Sequence, residues 1–301
     1  MKRLTCLLLL FTLLGPLQPQ AAAQPPQVVA TIFPVYDFVR EIGGDLVDVT
    51  LLLPPGVEAH SFAPTPQAML KVHGADLLLY TSEEMEPWVA DLLRGLAGDR
   101  LPVVATAPDA AGLAEHNHAQ HHHGGRDPHV WLDPLQAREM VTVIAKALAR
   151  IDPVNSKAYQ AAAARYGQRL MALDKEIRQG LAPCRLTTII SGGHSAFAHF
   201  CRRYGLRQLA AFPGQSPDAR PSPRTITNLI ATMEEIGSKV VFHEELLEPK
   251  VARIIAEESG ASLLLLHGIH NVSAQGLARG ESYISLMGQN LKNLRQGLQC
   301  Q

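Results

Sequence analysis

The chain has 301 residues, with 27 Lys and Arg against 28 Asp and Glu, so its formal net charge is −1. This length predicts two domains, and the near-neutral charge excludes the basic footprint of a nucleic-acid or membrane-surface binder. The apolar fraction of 47% also excludes wholesale disorder. The 13 histidines are more numerous than either the 8 Phe or the 6 Tyr. Five of the histidines fall between His116 and His123. Such an excess of imidazole indicates metal handling or pH sensing.

The first 23 residues have the layout of a secretory signal peptide. Lys2 and Arg3 precede an apolar run over 4–14, and a small-residue cleavage site ends at Ala23. The apolar run is too short to cross about 30 Å of hydrocarbon as a helix. Cys6 lies inside this run, too early for lipid attachment. We therefore expect cleavage after residue 23 and an exported, periplasmic protein with no membrane anchor.

Short β-type segments alternate with helical periodicity in both halves of the chain. This alternation predicts an α/β fold with two lobes, each with a mainly parallel sheet flanked by helices. Asp152 and Pro153 signal the start of a long helix, of roughly 40 Å, that joins the lobes rigidly. We expect a first lobe over 24–150, a linking helix over 151–180 and a second lobe over 181–301. The predicted strands are 28–32, 47–53, 75–80, 102–105, 186–190, 239–242 and 262–266.

Three cysteines remain after the predicted cleavage, namely Cys184, Cys201 and Cys300. In an oxidising compartment this odd number indicates one disulfide and one free thiol. We expect a Cys184–Cys201 pair, because a strand and a returning antiparallel helix would bring these two residues together. Cys300 could reach either of them. The absence of C-x-x-C spacing in the sequence disfavours a zinc–thiolate site.

Several histidines lie where a parallel sheet places ligands, at or just after the ends of strands. His60 and His129 belong to the predicted first lobe, and His194, His267 and His270 to the second. Imidazole nitrogen suits Zn, Cu, Ni and Fe rather than Mg, Ca or Mn. Four neutral nitrogens around a tetrahedral ion leave no vacant position for substrate water. These positions therefore predict a metal site in the cleft between the lobes, built for binding rather than catalysis.

The other histidines receive different interpretations. The segment over 112–127 holds five of them without apolar periodicity and reads as a His-rich loop. Asp127 and Asp133 flank His129, and either could accept its second N–H. Three histidines within or beside helices and strands are predicted to be structural: His73, His199 and His243.

Three motifs resemble the metal-binding solute-binding proteins of ABC importers, of the zinc/manganese (cluster A-I) type. They are "PPGVEAHSFAPTP" with His60, "DPHVWLDP" with His129, and "HSAFAHFCRRYGL" beginning at His194. The resemblance implies a metal held between two α/β lobes by these three histidines. It favours zinc over manganese, because manganese members usually carry Glu at the third position. It also implies that the His-rich loop gathers metal and that the partner is the membrane permease of an importer.

The fourth ligand departs from the pattern of the family, which usually has Asp at the end of the last strand. Counting from "ESGASLLLL" places His267 there, whereas counting back from "ESYISLM" favours His270. Glu281 is a third candidate, at the start of the final helix. We expect His267 to be the ligand in preference to His270.

The leading hypothesis is a monomeric, periplasmic zinc-capturing protein that delivers its ion to an ABC importer and is not an enzyme. The main alternative is an exported zinc-dependent hydrolase with an open histidine site, in which Glu58 could act as a base. The sequence has no H-E-x-x-H motif to support it. A metallochaperone or a surface adhesin on the same fold is a third class.

Overall fold

The computed structural model describes residues 24–95, 101–108, 127–212, 221–245 and 248–301. The predicted signal peptide (1–23) and residues 112–126 of the His-rich loop lie outside the described residues. Within the described ranges, none of the helices combines the length and the apolar character needed to cross a membrane.

The first lobe is a four-stranded parallel sheet with the order β2-β1-β3-β4. Its strands are β1 (Gln27–Ala30), β2 (Asp48–Leu51), β3 (Leu77–Tyr80) and β4 (Val103–Ala105). The helices that accompany them are α1 (Phe33–Gly43), α2 (Pro66–His73), α3 (Val89–Gly95) and α4 (Pro134–Ile151). Proline stands in the first turn of α1, α2 and α4, where its missing N–H costs no hydrogen bond.

The linking helix α5 (Ser156–Leu181) follows a short 3-10 turn over Pro153–Asn155. The Asp152 side chain accepts the N–H of Asn155 and so caps the turn, as the Asp-Pro pair predicts. With 26 residues, α5 extends over about 39 Å. It packs against α4 and α1.

The second lobe repeats the plan of the first, with the parallel order β6-β5-β7-β8. Its strands are β5 (Thr188–His194), β6 (Arg207–Phe212), β7 (Val240–His243) and β8 (Ser262–Leu265). Its helices are α6 (Ala198–Tyr204), α7 (Pro223–Ile236), α8 (Lys250–Ser259), α9 (Ala274–Ala278) and α10 (Tyr283–Gly297). The predicted architecture of two parallel-sheet lobes and a linking helix is confirmed.

In both sheets the strand order reverses between the first and the third strand of the lobe. The crevice at the carboxyl ends of these strands is where open α/β sheets bind ligands. Two details of the strands differ from the sequence prediction. Strand β6 was not predicted, and β5 continues four residues beyond Ile190, so that His194 is the last residue of the strand rather than a loop residue.

A segment of the second lobe, 267–272, crosses to the first lobe beside this crevice. The carbonyl of His270 accepts the N–H of Phe33 (3.2 Å), and the carbonyl of Val272 accepts the N–H of Gly56 (3.0 Å). The Asn271 amide donates to two carbonyls of the first lobe, those of residues 54 and 57, at 2.8 Å each. Helix α5 is therefore not the sole connection between the lobes.

The start of α10 forms a further crossing. The Tyr283 N–H donates to Asp37 Oδ2 (2.8 Å), and its hydroxyl donates to the carbonyl of Trp131 (2.6 Å). Asp37 lies in α1 and is fully buried. Burial raises its pKa to about 6, although the hydrogen bond from Tyr283 and the nearby Arg40 oppose this shift. With the crossing segment, this contact adds a further point at which the two lobes are joined.

The disulfide joins Cys184 to Cys300, and Cys201 is free and buried in α6. The expected Cys184–Cys201 pair is wrong. The end of the chain returns antiparallel beside Cys184, where the Leu186 N–H donates to the carbonyl of Leu298 (3.0 Å). This pairing brings Cys300 to Cys184, whereas Cys201 faces the core.

Removal of the disulfide should lower the free energy of unfolding by about 2–4 kcal/mol, because the unfolded chain gains freedom over a loop of 116 residues. Urea denaturation with and without reductant measures this change. Wild type and Cys201→Ala should lose stability on reduction, whereas Cys300→Ser should not respond. A Cys201→Ala variant that no longer responds to reductant would contradict the pairing.

Candidate metal centre

Three histidines meet at the carboxyl edges of the two sheets. His60 follows β2 and the turn over 54–56, and His129 immediately precedes the 3-10 turn Val130–Leu132 that leads into α4. His194 ends β5, where the strand register shifts between Ser191 and His194. This irregularity aims the imidazole at the cleft. His129 and His194 are buried, and His60 is half-buried.

The ring nitrogens of these histidines converge at the spacing of a coordination sphere. The Nε2 atom of His129 lies 3.2 Å from Nε2 of His60 and 3.2 Å from Nε2 of His194. Zn–N bonds of about 2.0–2.1 Å in a tetrahedron place ligand nitrogens about 3.3 Å apart. Of the described residues, these three form the group of metal-ligand side chains whose donor atoms all lie within 4.8 Å of one another.

Two of the imidazoles are oriented by carboxylates. Asp127 Oδ1 accepts the Nδ1–H of His129 at 2.7 Å, and Glu244 Oε2 accepts the Nδ1–H of His194 at 2.6 Å. With the proton on Nδ1, each neutral ring presents the Nε2 lone pair to the cluster. Lone pairs that face each other at 3.2 Å repel unless a cation lies between them. The donor set therefore fits a metal ion.

Asp127 and Asp133, the two candidates for the hydrogen-bond partner of His129, have different roles. Asp127 holds the ring of His129, whereas Asp133 accepts the N–H of Leu135 (2.9 Å) as the cap of α4 and contacts Arg203 at 3.2 Å. Asp133 therefore supports the helix rather than the imidazole.

Sequence reasoning missed Glu244. It directly follows β7, so its position at the carboxyl edge of the sheet was the available signal. Its carboxylate lies against the backbone of Gly193, and a Cβ at Gly193 would overlap it. Gly193 thus allows the close approach of Glu244 to His194.

The site shifts the pKa values of its imidazoles in opposite directions. Burial, with the neighbouring His129, lowers the pKa of His60 to about 2. Burial also lowers the pKa of His129, although its hydrogen bond to Asp127 opposes the shift. Burial acts in the same way on His194, but the hydrogen bond and charge of Glu244 outweigh it and raise the pKa of His194. In the absence of metal, His194 is therefore the imidazole of the three that holds a proton most readily.

The ring of His270 lies beside this cluster. Its centroid is 6.4 Å from the ring centroids of both His60 and His194, and its Nε2 atom is 3.8 Å from Glu58 Oε2. Glu58 in turn accepts the main-chain N–H of His60 at 3.0 Å. The His270 ring therefore adjoins the three-histidine cluster without belonging to its group of convergent donor atoms.

His267 and Glu281 make other contacts. The main-chain N–H of His267 donates to Asn290 Oδ1 (2.7 Å), and its Nδ1 atom accepts the N–H of Ile269 (2.9 Å). Glu281 pairs with Arg279 at 2.7 Å at the start of α10. The group of convergent donor atoms in the described chain includes neither of these residues, nor His270.

The remaining histidines make backbone and side-chain contacts. His199 of α6 donates from Nε2 to the carbonyl of Asp127 (2.8 Å), and so supports the residue that orients His129. His243 Nδ1 contacts the carbonyl of Glu244 at 2.9 Å. His73 ends α2.

Two parallel-sheet lobes joined by a helix, with a cluster of histidines contributed by both lobes, define a metal-binding solute-binding protein. Residues 28–297 match the family described as "Zinc-uptake complex component A periplasmic", and the chain belongs to this family.

Relatives and solved structures agree with this family. The chain is 34% identical over 280 residues to the high-affinity zinc uptake system protein ZnuA of Bacillus subtilis, covering 90% of this chain and 87% of that protein. It is 32% identical over 277 residues to the zinc-binding lipoprotein AdcA of Streptococcus pneumoniae. That match covers 89% of this chain, which spans 55% of the length of AdcA.

Two crystal structures have the same fold. The Zn(II)-bound ZnuA-like domain of Streptococcus pneumoniae AdcA superposes with a TM-score of 0.76 at 30% identity, over 91% of this chain and 99% of that one. The metal-dependent lipoprotein YcdH of Bacillus subtilis gives a TM-score of 0.77 at 33% identity, over 91% and 99% of the two chains. None of these relatives is described as a hydrolase.

Loss of the Asp127 carboxylate, which accepts the Nδ1–H of His129, should weaken metal binding without unfolding the protein. For Asp127→Asn we expect a loss of zinc affinity of about 10–100-fold, because the tautomer of the ring is no longer fixed. The matched variant Asp133→Asn should lower thermal stability and leave zinc affinity unchanged. Competition titration with a chromophoric chelator measures both, and equal losses of affinity in the two variants would refute the division of roles.

Proposed function

We propose that the mature chain captures one Zn²⁺ ion in the cleft between its lobes and delivers it to the membrane permease of an ABC importer. The observation that carries this proposal is the spacing of three Nε2 atoms, 3.2 Å apart across two pairs, with two of the rings held on Nδ1 by carboxylates. Zinc is the ion named in the descriptions of the family and of several relatives. Four imidazole nitrogens are also a donor set that suits zinc and disfavours manganese.

The proposed ligands are His60, His129, His194 and His270. We place His270 in the fourth position, in preference to the His267 expected from the sequence. Its ring adjoins two of the other ligands, whereas the Nδ1 atom of His267 is engaged by a main-chain N–H. Each lobe then supplies two ligands, and one chain completes the sphere. This supports a monomer as the functional unit.

A sphere of four protein ligands supports transport rather than catalysis. A catalytic zinc site keeps one position for water, and a site closed by His270 does not. Glu58, the base of the hydrolase alternative, contacts the backbone of His60 and the ring of His270, and so is already engaged within the site. We infer that the protein is not a hydrolase, and zinc-dependent turnover of ester, amide or phosphate substrates would overturn that inference.

The compartment and the His-rich loop belong to the same proposal. A signal peptide over 1–23 and a family described as periplasmic support an exported protein. The five histidines that precede Asp127 in the sequence would gather zinc, at weaker sites than the four-ligand sphere.

Removal of first-lobe and second-lobe ligands tests the site. The double variant His60→Ala, His194→Ala should lose far more zinc affinity than the roughly 100-fold expected when only a hydrogen-bond partner of a ligand is removed. His270→Ala should also weaken the tight site, and His267→Ala should retain it. Isothermal titration of the mature protein measures these affinities. A tight site that survives in the double variant would contradict the proposal.

The pKa shifts predict how many protons the bound zinc displaces. Near pH 6.5, the rings of His60 and His129 are already neutral, because burial lowers their pKa values. The raised pKa of His194 leaves it protonated, so among these three it should release about one proton. Binding should therefore weaken as the pH falls.

Isothermal titration in buffers of different ionisation enthalpy counts the protons released. The His194→Ala variant serves as the control, since it should release about one proton fewer than wild type at the same pH. Identical proton release in the two proteins would contradict the assignment of the proton to His194.

A further inference from the structure

A third acidic residue, Glu245, lies behind the proposed site. It follows Glu244 at the end of β7 and is almost fully buried. Its Oε2 atom accepts the N–H of Gly268 at 2.8 Å. Within the part of the chain that the structure describes, its Oε1 atom has no hydrogen-bond partner, and neither has Nδ1 of His270. These two buried polar atoms lie 3.6 Å apart.

Of the two imidazoles next to Glu245, one can donate to it. His267 Nδ1 is 3.3 Å from Glu245 Oε1, but this nitrogen already accepts the N–H of Ile269. A neutral ring nitrogen that accepts a hydrogen bond carries no proton to donate, so the proton of the neutral His267 ring is on Nε2. His270 Nδ1–H is the donor that remains for Glu245 Oε1.

The main chain at His270 is held by hydrogen bonds, whereas its Nδ1 atom has no hydrogen-bond partner within the described residues. The His270 carbonyl accepts the N–H of Phe33, and the Gly268 carbonyl accepts the indole N–H of Trp131 at 2.8 Å. Ile269 between them has a φ of 64°, in the left-handed region that a β-branched residue rarely adopts. The backbone is thus held by the first lobe, so the 3.6 Å gap to Glu245 would close through movement of the side chains.

We propose that Glu245 is a positioning residue for His270, which it orients through Nδ1 so that the Nε2 lone pair faces the zinc ion. The arrangement repeats the pairs Asp127–His129 and Glu244–His194, which are already closed at 2.7 and 2.6 Å. It rests on the proposed function, because His270 must be a ligand for Glu245 to act through it. The Glu245–His270 pair closes when zinc draws the ring into the cluster.

Glu245→Gln tests this proposal, since the amide has the shape of the carboxylate. Its oxygen must accept the N–H of Gly268, so its NH₂ group faces His270 Nδ1 and requires that nitrogen to be the acceptor. The ring proton then moves to Nε2, the atom proposed to bind zinc. We expect a 10–100-fold loss of zinc affinity. ¹⁵N NMR of the histidine rings should show the reversed tautomer at His270.

Glu86→Gln is the matched control. Glu86 is also fully buried, and it accepts the main-chain N–H groups of Thr81 (2.8 Å) and Ser82 (3.2 Å); none of its partners in the described ranges is a histidine. This variant should keep the zinc affinity and the His270 tautomer of wild type. A loss of affinity that is equal in the two variants would assign the effect to general destabilisation and overturn the proposal.

A double-mutant cycle gives a second, independent readout. If Glu245 acts through His270, then Glu245→Gln should have no further effect on zinc affinity in a His270→Ala background. Additive losses would overturn the positioning role. The proposed function fails separately, through survival of the tight site in the His60→Ala, His194→Ala protein. Wild-type affinity in Glu245→Gln with loss of zinc in that double variant would reject the positioning role alone.

Discussion

The contact between Nε2 of His129 and Nε2 of His194, 3.2 Å apart and each on a different lobe, is the interaction on which the site depends. Carboxylates accept the Nδ1–H of both rings, so the Nε2 lone pairs of the two rings point at each other. This arrangement requires a cation between them. Without metal, the raised pKa of His194 allows a proton to serve as that cation. A zinc ion would replace the proton and recruit further nitrogens. The carboxylates thus supply charge and orientation while the imidazoles supply the bonds.

The two lobes that carry these histidines are joined at several places. Helix α5 joins the lobes along about 39 Å, and the segment 267–272 and the start of α10 cross to the first lobe beside the site. Arg203 of the second lobe adds an ion pair to Asp133 of the first at 3.2 Å. Because side-chain rotation costs far less than separating these contacts, we expect metal capture to involve His270 more than a movement of whole lobes.

The sequence predicted the architecture, and it singled out the three histidines that the structure brings together, because both follow from local patterns. Alternating strand and helix signals indicate parallel sheets, and histidines at strand ends converge wherever two such sheets face each other. The Asp152-Pro153 pair also correctly predicted where the long helix begins. Strand β6 was missed because the polar Arg207 and Gln208 begin it, and its pairing with β5 supplies the stability that local propensity lacks.

Long-range pairings explain the other errors. The disulfide depends on the antiparallel return of the chain end beside Cys184, which no local pattern encodes. Glu244 and Glu245 reach the site from a different strand than the histidines they accompany, so spacing along the chain could not assign them. The choice between His267 and His270 is not one of these errors and stays a prediction; the two residues lie on either side of the left-handed backbone at Ile269.

The most direct test of the central claim is a crystal structure of the zinc-loaded mature protein, with anomalous data at the zinc absorption edge. We predict one strong anomalous peak about 2.0–2.1 Å from the Nε2 atoms of His60, His129, His194 and His270. A peak coordinated by His267, or a site that draws its ligands from one lobe only, would contradict the claim.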